Sequence, residues 1–90
     1  MQTKSIKTAE VWSQTNCPAC SEAKRLLEGK GVQIVEKMIG VNGFTKKDLI
    51  DKVPTARSVP QIFLDGEYVG GLQELKRKLA NDNNKTTGMV

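Results

Sequence analysis

Two cysteines, Cys17 and Cys20, are the residues of this chain most able to do chemistry, and they stand in a C-x-x-C spacing. The chain contains no histidine. That excludes Ser-His-Asp and Cys-His nucleophilic catalysis within the chain, and zinc hydrolysis of the usual His-ligated kind. What remains for a Cys pair is thiol–disulfide chemistry, in which a thiolate attacks a disulfide sulfur and a second thiol resolves the mixed disulfide. Two other readings of the pair stay open on residue type alone. It is half of a zinc or iron–sulfur ligand set, completed by a second chain or an external thiol, or it is two inert buried thiols. A secreted domain held together by disulfides spends more cysteines, spread along the chain.

The residues around the pair give the two sulfurs unequal environments. Cys17 falls at the expected start of a helix, with Pro18 at the first helical position, where proline is tolerated. Unpaired amides at a helix start carry about half a positive charge. The Cys17 thiol is therefore expected to titrate below an ordinary cysteine, while Cys20, one turn inside, lacks that benefit. Cys17 is the expected nucleophile and Cys20 the resolving thiol. A drop from ~8.5 to ~5 would raise the thiolate fraction at neutral pH roughly 30-fold. With a Brønsted slope near 0.45, intrinsic nucleophilicity falls roughly 40-fold. Attack gains nothing from such a shift; departure of Cys17 from a mixed disulfide does.

The elements that must position this pair are legible from periodicity. Residues 6–13 read as a strand, in which Val11 and Ser13 alternate with Glu10 and Trp12. A polar loop, Gln14-Thr15-Asn16, precedes a helix from Pro18 to Glu28. Its Ala19, Ala23, Leu26 and Leu27 fall at i, i+4, i+7 and i+8. Gly29 and Gly31 supply the stop. Val32 to Ile39 is apolar on both faces and reads as a parallel strand covered on both sides. Thr45 to Val53 is a second helix, opened by a Thr45/Asp48 capping box and a Phe44/Leu49 staple and closed by Pro54. Gln61–Leu64, Asp65-Gly66 and Glu67–Val69 form a hairpin with a type I′ turn. Leu72 to Ala80 is a last helix with Leu72, Leu75 and Leu79 on one face.

The order is β-α-β-α-β-β-α. A single α/β domain over 1–80, with a four-stranded mixed sheet and helices on both faces, is the economical packing. Residues 81–90 are polar and aperiodic and are expected to be a disordered tail. The composition, 38% hydrophobic and 27% charged, is that of an ordinary globular chain. No apolar run approaches the ~20 residues of a membrane span. Met1 to Ser5 has no apolar h-region, so no secretory signal and a cytoplasmic location are expected. The net charge of +4 favours anionic small ligands or acidic partners at long range. Its two basic clusters, Lys46-Lys47 and Lys76-Arg77-Lys78, alternate with apolar positions as solvated helix faces do, so no nucleic-acid role is expected.

Longer motifs extend the pattern. Trp12-Ser13 precedes Cys17-Pro18-Ala19-Cys20. Ser58-Val59-Pro60-Gln61-Ile62-Phe63 follows, then Asp65-Gly66 and Val69-Gly70-Gly71-Leu72. This combination resembles the small dithiol glutaredoxins, on a thioredoxin-like fold, over residues 9 to about 79. The resemblance implies a glutathione-dependent thiol–disulfide oxidoreductase that needs no metal. It implies that Pro60 is a cis-proline facing Cys17, and that the Val59 backbone pairs with the cysteinyl backbone of glutathione. It implies that the amides of Gly71, Leu72 and Gln73 receive the γ-glutamyl carboxylate. Gln14 and Ser58 complete the implied glutathione site, with Trp12, Pro18 and Gly70 in support. Partners implied are glutathione and disulfide-bearing client proteins, ribonucleotide reductase among them, with the protein a monomer.

The chain departs from the family pattern at three places. Gln14 stands where many members carry a lysine that pairs with the glycyl carboxylate of glutathione. Ala19 stands where many carry tyrosine. Gln73 stands where an acidic residue is common, with Glu74 adjacent; Arg57, Lys46 and Lys47 are the cations available to make up the charge. These departures keep two alternatives in view: a redoxin reduced by thioredoxin reductase that has lost glutathione, and a glutathione-assisted iron–sulfur scaffold.

Overall fold

The computed structural model describes residues 6–41 and 43–87, those of 81–87 by backbone alone. The elements are β1 (Thr8–Ser13), α1 (Pro18–Gly29), β2 (Gln33–Met38), α2 (Lys46–Lys52), β3 (Gln61–Leu64), β4 (Glu67–Gly70) and α3 (Leu72–Thr87). The strands form one mixed sheet in the order β2-β1-β3-β4. β1 runs parallel to β2 and antiparallel to β3, and β3 and β4 make the hairpin.

Strand alternation sorts the side chains onto two faces. Ala9 and Val11 of β1 and Ile62 and Leu64 of β3 pack with Ala23 and Leu27 of α1 and Leu75 and Leu79 of α3. Trp12 and Phe63 point the other way, onto Leu49 of α2 and Val53. α1 and α3 thus cover one face and α2 the other, as the element order predicted.

Local signals set the boundaries. Asp65 and Gly66 both have positive φ, 49° and 87°, as a type I′ turn requires. The Asp65 carboxylate also accepts the Thr8 and Lys7 amides, tying the hairpin tip to the start of β1. Those backbone donors, Thr8's first, hold it below the ordinary aspartate range. At α2, Asp48 N–H donates to Thr45 Oγ1 and Thr45 N–H to Asp48 Oδ2, the expected capping box. At the end of α1 it is Gly31, with φ 76°, that turns the chain. Its N–H reaches the Glu28 carbonyl and that of Val32 reaches Leu27, a Schellman motif, while Gly29 stays helical.

Two expectations are corrected. β2 is an edge strand rather than one covered on both sides: Ile34 packs on the α1/α3 core, but Val35 is 48% exposed. An edge strand lies at the rim of the sheet, and the hydrophobic run of β2 carries no sign of its place in the strand order. The helix α3 also continues to Thr87, seven residues beyond the Ala80 end read from its leucine stripe. Once nucleated, a helix gains one hydrogen bond per residue and needs no apolar stripe to extend. Residues 88–90 of the expected tail lie outside the described residues.

Candidate active site

The active-site loop leaves the C-terminal end of β1. Asn16, with φ 57°, reverses the chain so that Cys17 becomes the N-cap of α1 and Pro18 opens its first turn. Cys17 and Cys20 are joined by a disulfide, their Cα atoms 5.3 Å apart. The Cys20 amide donates to Cys17 Sγ at 3.1 Å, as a capping side chain would receive it. The two cysteines are unequally buried: Cys20 is 2% exposed, whereas Cys17 is half-buried.

The implied cis bond is present between Val59 and Pro60. The Val59 carbonyl oxygen lies 3.9 Å from Cys17 Sγ, so residues some forty positions apart in the chain meet at the sulfur. The Gly70-Gly71 turn closes the other side of this segment. A Cβ on Gly71 would sit 3.3 Å from the Pro60 carbonyl oxygen, and one on Gly70 would sit 2.8 Å from Glu74 Cγ. Gly70 also has φ 127°, so both crowding and backbone angle favour glycine there. Cys17 thus meets Val59, and Gly71 lies against Pro60, while Gly70 packs on Glu74.

The remaining expected residues fall into place less uniformly. Gln14 and Gln73 are exposed and Leu72 is half-buried, packed against the α1/α3 core. Ser58 is exposed, and its carbonyl accepts from Gln61 Nε2 at 2.8 Å. Trp12 is 3% exposed, edge-on to Phe44 at 5.5 Å, with its indole N–H donated to Glu10. It is a core residue, packed with Leu49, Val53 and Phe63. The Gly71 amide is already engaged: it donates to Glu74 Oε1 at 3.0 Å. Glu74's own amide and then that of Gly71 hold this carboxyl below the ordinary glutamate range.

Charge near the site is mostly paired. Lys24 bonds Glu36, which also accepts from the fully buried Ser13 hydroxyl at 2.6 Å. The Lys24 bond, then that of Ser13, lowers the Glu36 carboxyl. Lys37 and Lys52 flank Glu10 and lie over Trp12 and Phe63. Burial alone would raise the Glu10 carboxyl, but the bonds from Lys52 and Trp12 and the charge of Lys37 outweigh it, so it too titrates low. Lys47 pairs with Asp51. Arg57, two residues before Val59, is exposed and makes no ion pair among the described residues. Nor do any three Cys, Asp or Glu side chains among the described residues converge as a metal cage.

Sequence reasoning passed over Gln61 and Tyr68. Gln61 is 6% exposed and its Oε1 accepts from the Tyr68 hydroxyl at 2.6 Å. A glutamine opening the otherwise apolar run Gln61-Ile62-Phe63-Leu64 was the available signal, since a buried amide needs partners.

A redox-active Cys pair at a helix start, on a four-stranded sheet covered by helices on both faces, defines a thioredoxin-like thiol–disulfide oxidoreductase. Comparison with known proteins narrows the class. The glutaredoxin family profile matches residues 9–69, and the chain belongs to that family. It is 38% identical to glutaredoxin 3 of Escherichia coli strain K12 over 70 residues, spanning 78% of this chain and 83% of that one. The structure of reduced Escherichia coli glutaredoxin superposes with a TM-score of 0.74 at 28% identity, covering 86% of this chain and 98% of the other. A buckwheat glutaredoxin solved as a complex with glutathione gives 0.72 at 24% identity over 81% and 68%, a likeness of fold alone.

Proposed function

We propose that this protein reduces protein disulfides and glutathione mixed disulfides, with glutathione as its reductant. The observation that carries this is the sulfur of the half-buried Cys17, bonded by the Cys20 amide and faced by the Val59 carbonyl at 3.9 Å. In the reduced protein the same amide stabilises a Cys17 thiolate, because a donor to the charged form favours it. That thiolate attacks one sulfur of a client disulfide, and the client's other sulfur leaves as a thiolate. Cys20, deprotonated, then attacks the Cys17 sulfur and expels the second client thiolate, leaving the Cys17–Cys20 disulfide. Two glutathione molecules return two electrons and leave as glutathione disulfide.

Glutathione lies along the Ser58–Val59–Pro60 segment in this reading, its cysteinyl backbone on Val59. Its γ-glutamyl carboxylate meets the start of α3 at Gly71, Leu72 and Gln73. Gln14 hydrogen-bonds the glycyl end without charge, and Arg57 supplies the positive potential that Gln14 lacks. The Glu74 carboxylate must leave the Gly71 amide for the ligand carboxylate to take it.

A coupled turnover assay on a glutathione mixed disulfide tests the reading. NADPH oxidation is followed with glutathione and glutathione reductase, and then with thioredoxin reductase in their place. Turnover with glutathione is expected. Turnover with thioredoxin reductase alone would mean that Gln14, Ala19 and the Glu74 cap have cost the chain its glutathione site.

A further inference from the structure

The segment that faces the Cys17 sulfur has little backbone support of its own. Between Pro54 and Ser58 the backbone–backbone hydrogen bond among the described residues is Ala56 N–H to the Val53 carbonyl, at 2.9 Å. The next tie is a side chain. Gln61 Nε2 donates to the Ser58 carbonyl at 2.8 Å, and Gln61 Oε1 accepts from the Tyr68 hydroxyl at 2.6 Å. The orientation of this amide follows from chemistry. A carbonyl only accepts, so the NH2 must face Ser58, and the oxygen is left to receive the Tyr68 O–H. The amide is buried, so each bond avoids the cost of an unsatisfied polar group. Tyr68 in turn is fixed by its ring, 5.3 Å from that of Phe63.

We infer that Gln61 and Tyr68 are positioning residues for thiol–disulfide exchange: together they hold the Ser58–Val59 segment at the distance from Cys17 that lets a substrate disulfide dock beside the sulfur. Tyr68 is anchored on β4, Gln61 begins β3, and the Ser58 carbonyl is one residue from Val59. Each of the two bonds fixes the next. Neither residue touches the sulfur, so losing the chain of bonds should loosen substrate docking and leave the reactivity of Cys17 alone.

Tyr68→Phe is the direct test, because it deletes one hydroxyl from a residue 44% exposed and keeps the ring on Phe63. The pre-reduced protein is given a disulfide-bonded peptide without glutathione, so the outcome is independent of whether glutathione is the reductant. The half-saturating peptide concentration is expected to rise about fivefold, the effect of one neutral hydrogen bond. The saturating rate and the alkylation of Cys17 by iodoacetamide, which needs no docking, should stay within about twofold. In a Gln61→Ala background, Tyr68→Phe should add no further loss. An unchanged half-saturating concentration overturns the inference. So does an equal fall in saturating rate and alkylation, which would place the effect on the sulfur, and so does full additivity of the two substitutions. Should Gln61→Ala fail to fold, the Tyr68→Phe measurements decide alone.

Discussion

Two helices begin on either side of the Ser58–Val59–Pro60 segment, and their first turns solve the same problem with different atoms. α1 starts at Cys17, whose sulfur receives the Cys20 amide. α3 starts after Gly71, whose amide is received by the Glu74 carboxylate one turn ahead. Both helix starts satisfy an orphan donor with an electron-rich side-chain atom, and both put it where partial positive charge collects. The difference is what the atom can do next. A sulfur at that place becomes a thiolate that attacks and leaves. A carboxylate there is inert and holds the place against another carboxylate. One helix start carries the cysteine pair and the other is closed by its own carboxylate, although the electrostatics are shared.

The largest break in the comparison is Cys17→Ser. A serine caps the helix as well as the sulfur does, but its hydroxyl is no nucleophile toward disulfides without a base, and this chain has no histidine. Exchange with every disulfide substrate should fall to the uncatalysed background, while the thermal midpoint of the reduced protein stays close to that of the parent. Retained exchange would show that Cys17 is not the attacking sulfur.

Next in size is Cys20→Ser, which removes the buried cysteine and leaves the half-buried one. Reduction of protein disulfides should drop to background because the mixed disulfide on Cys17 is no longer resolved from within. Turnover of glutathione mixed disulfides, which an external thiol resolves, should persist. Parallel loss of both activities in the same coupled assay would count against the division of labour.

The smallest effect is expected at the other helix start. Glu74→Ala vacates the Gly71 amide, and the KM for a glutathione mixed disulfide should fall about threefold. A rise in KM would mean that the Glu74 carboxylate meets a positive group of the ligand instead of excluding a negative one. The sign of the pH effect is set by the lowered carboxyl of Glu74. The cap is complete above the ordinary glutamate range and is lost as pH falls through the lowered value.

How much of this was legible beforehand varies with the range of the interaction. The type I′ turn at Asp65-Gly66 and the Thr45/Asp48 capping box depend on residues within four positions, and both formed as their types demand. The Cys17/Cys20 pair was equally local. β2 shows the limit. Its alternation of Ile34 and Val35 marks two apolar faces, but which face is covered depends on where α2 lies. The cis bond at Val59-Pro60 was available through the family motif and not from the proline alone, since only about 5–6% of such bonds are cis. Gln61 was hidden for a related reason. Its two partners are Ser58 on one side and Tyr68 across the hairpin, and no residue type announces that pairing.

By itself the amino-acid sequence determined the reactive atoms, the order of elements and the family, because spacing along a helix or across a tight turn is enforced by backbone geometry within a few residues. Only the tertiary structure decided that Val59 reaches the Cys17 sulfur, that Trp12 is buried, and that Glu74 already occupies the Gly71 amide. Those outcomes are choices among partners for the same donors and acceptors. They are settled by packing between segments far apart in the chain, where local propensity has no say.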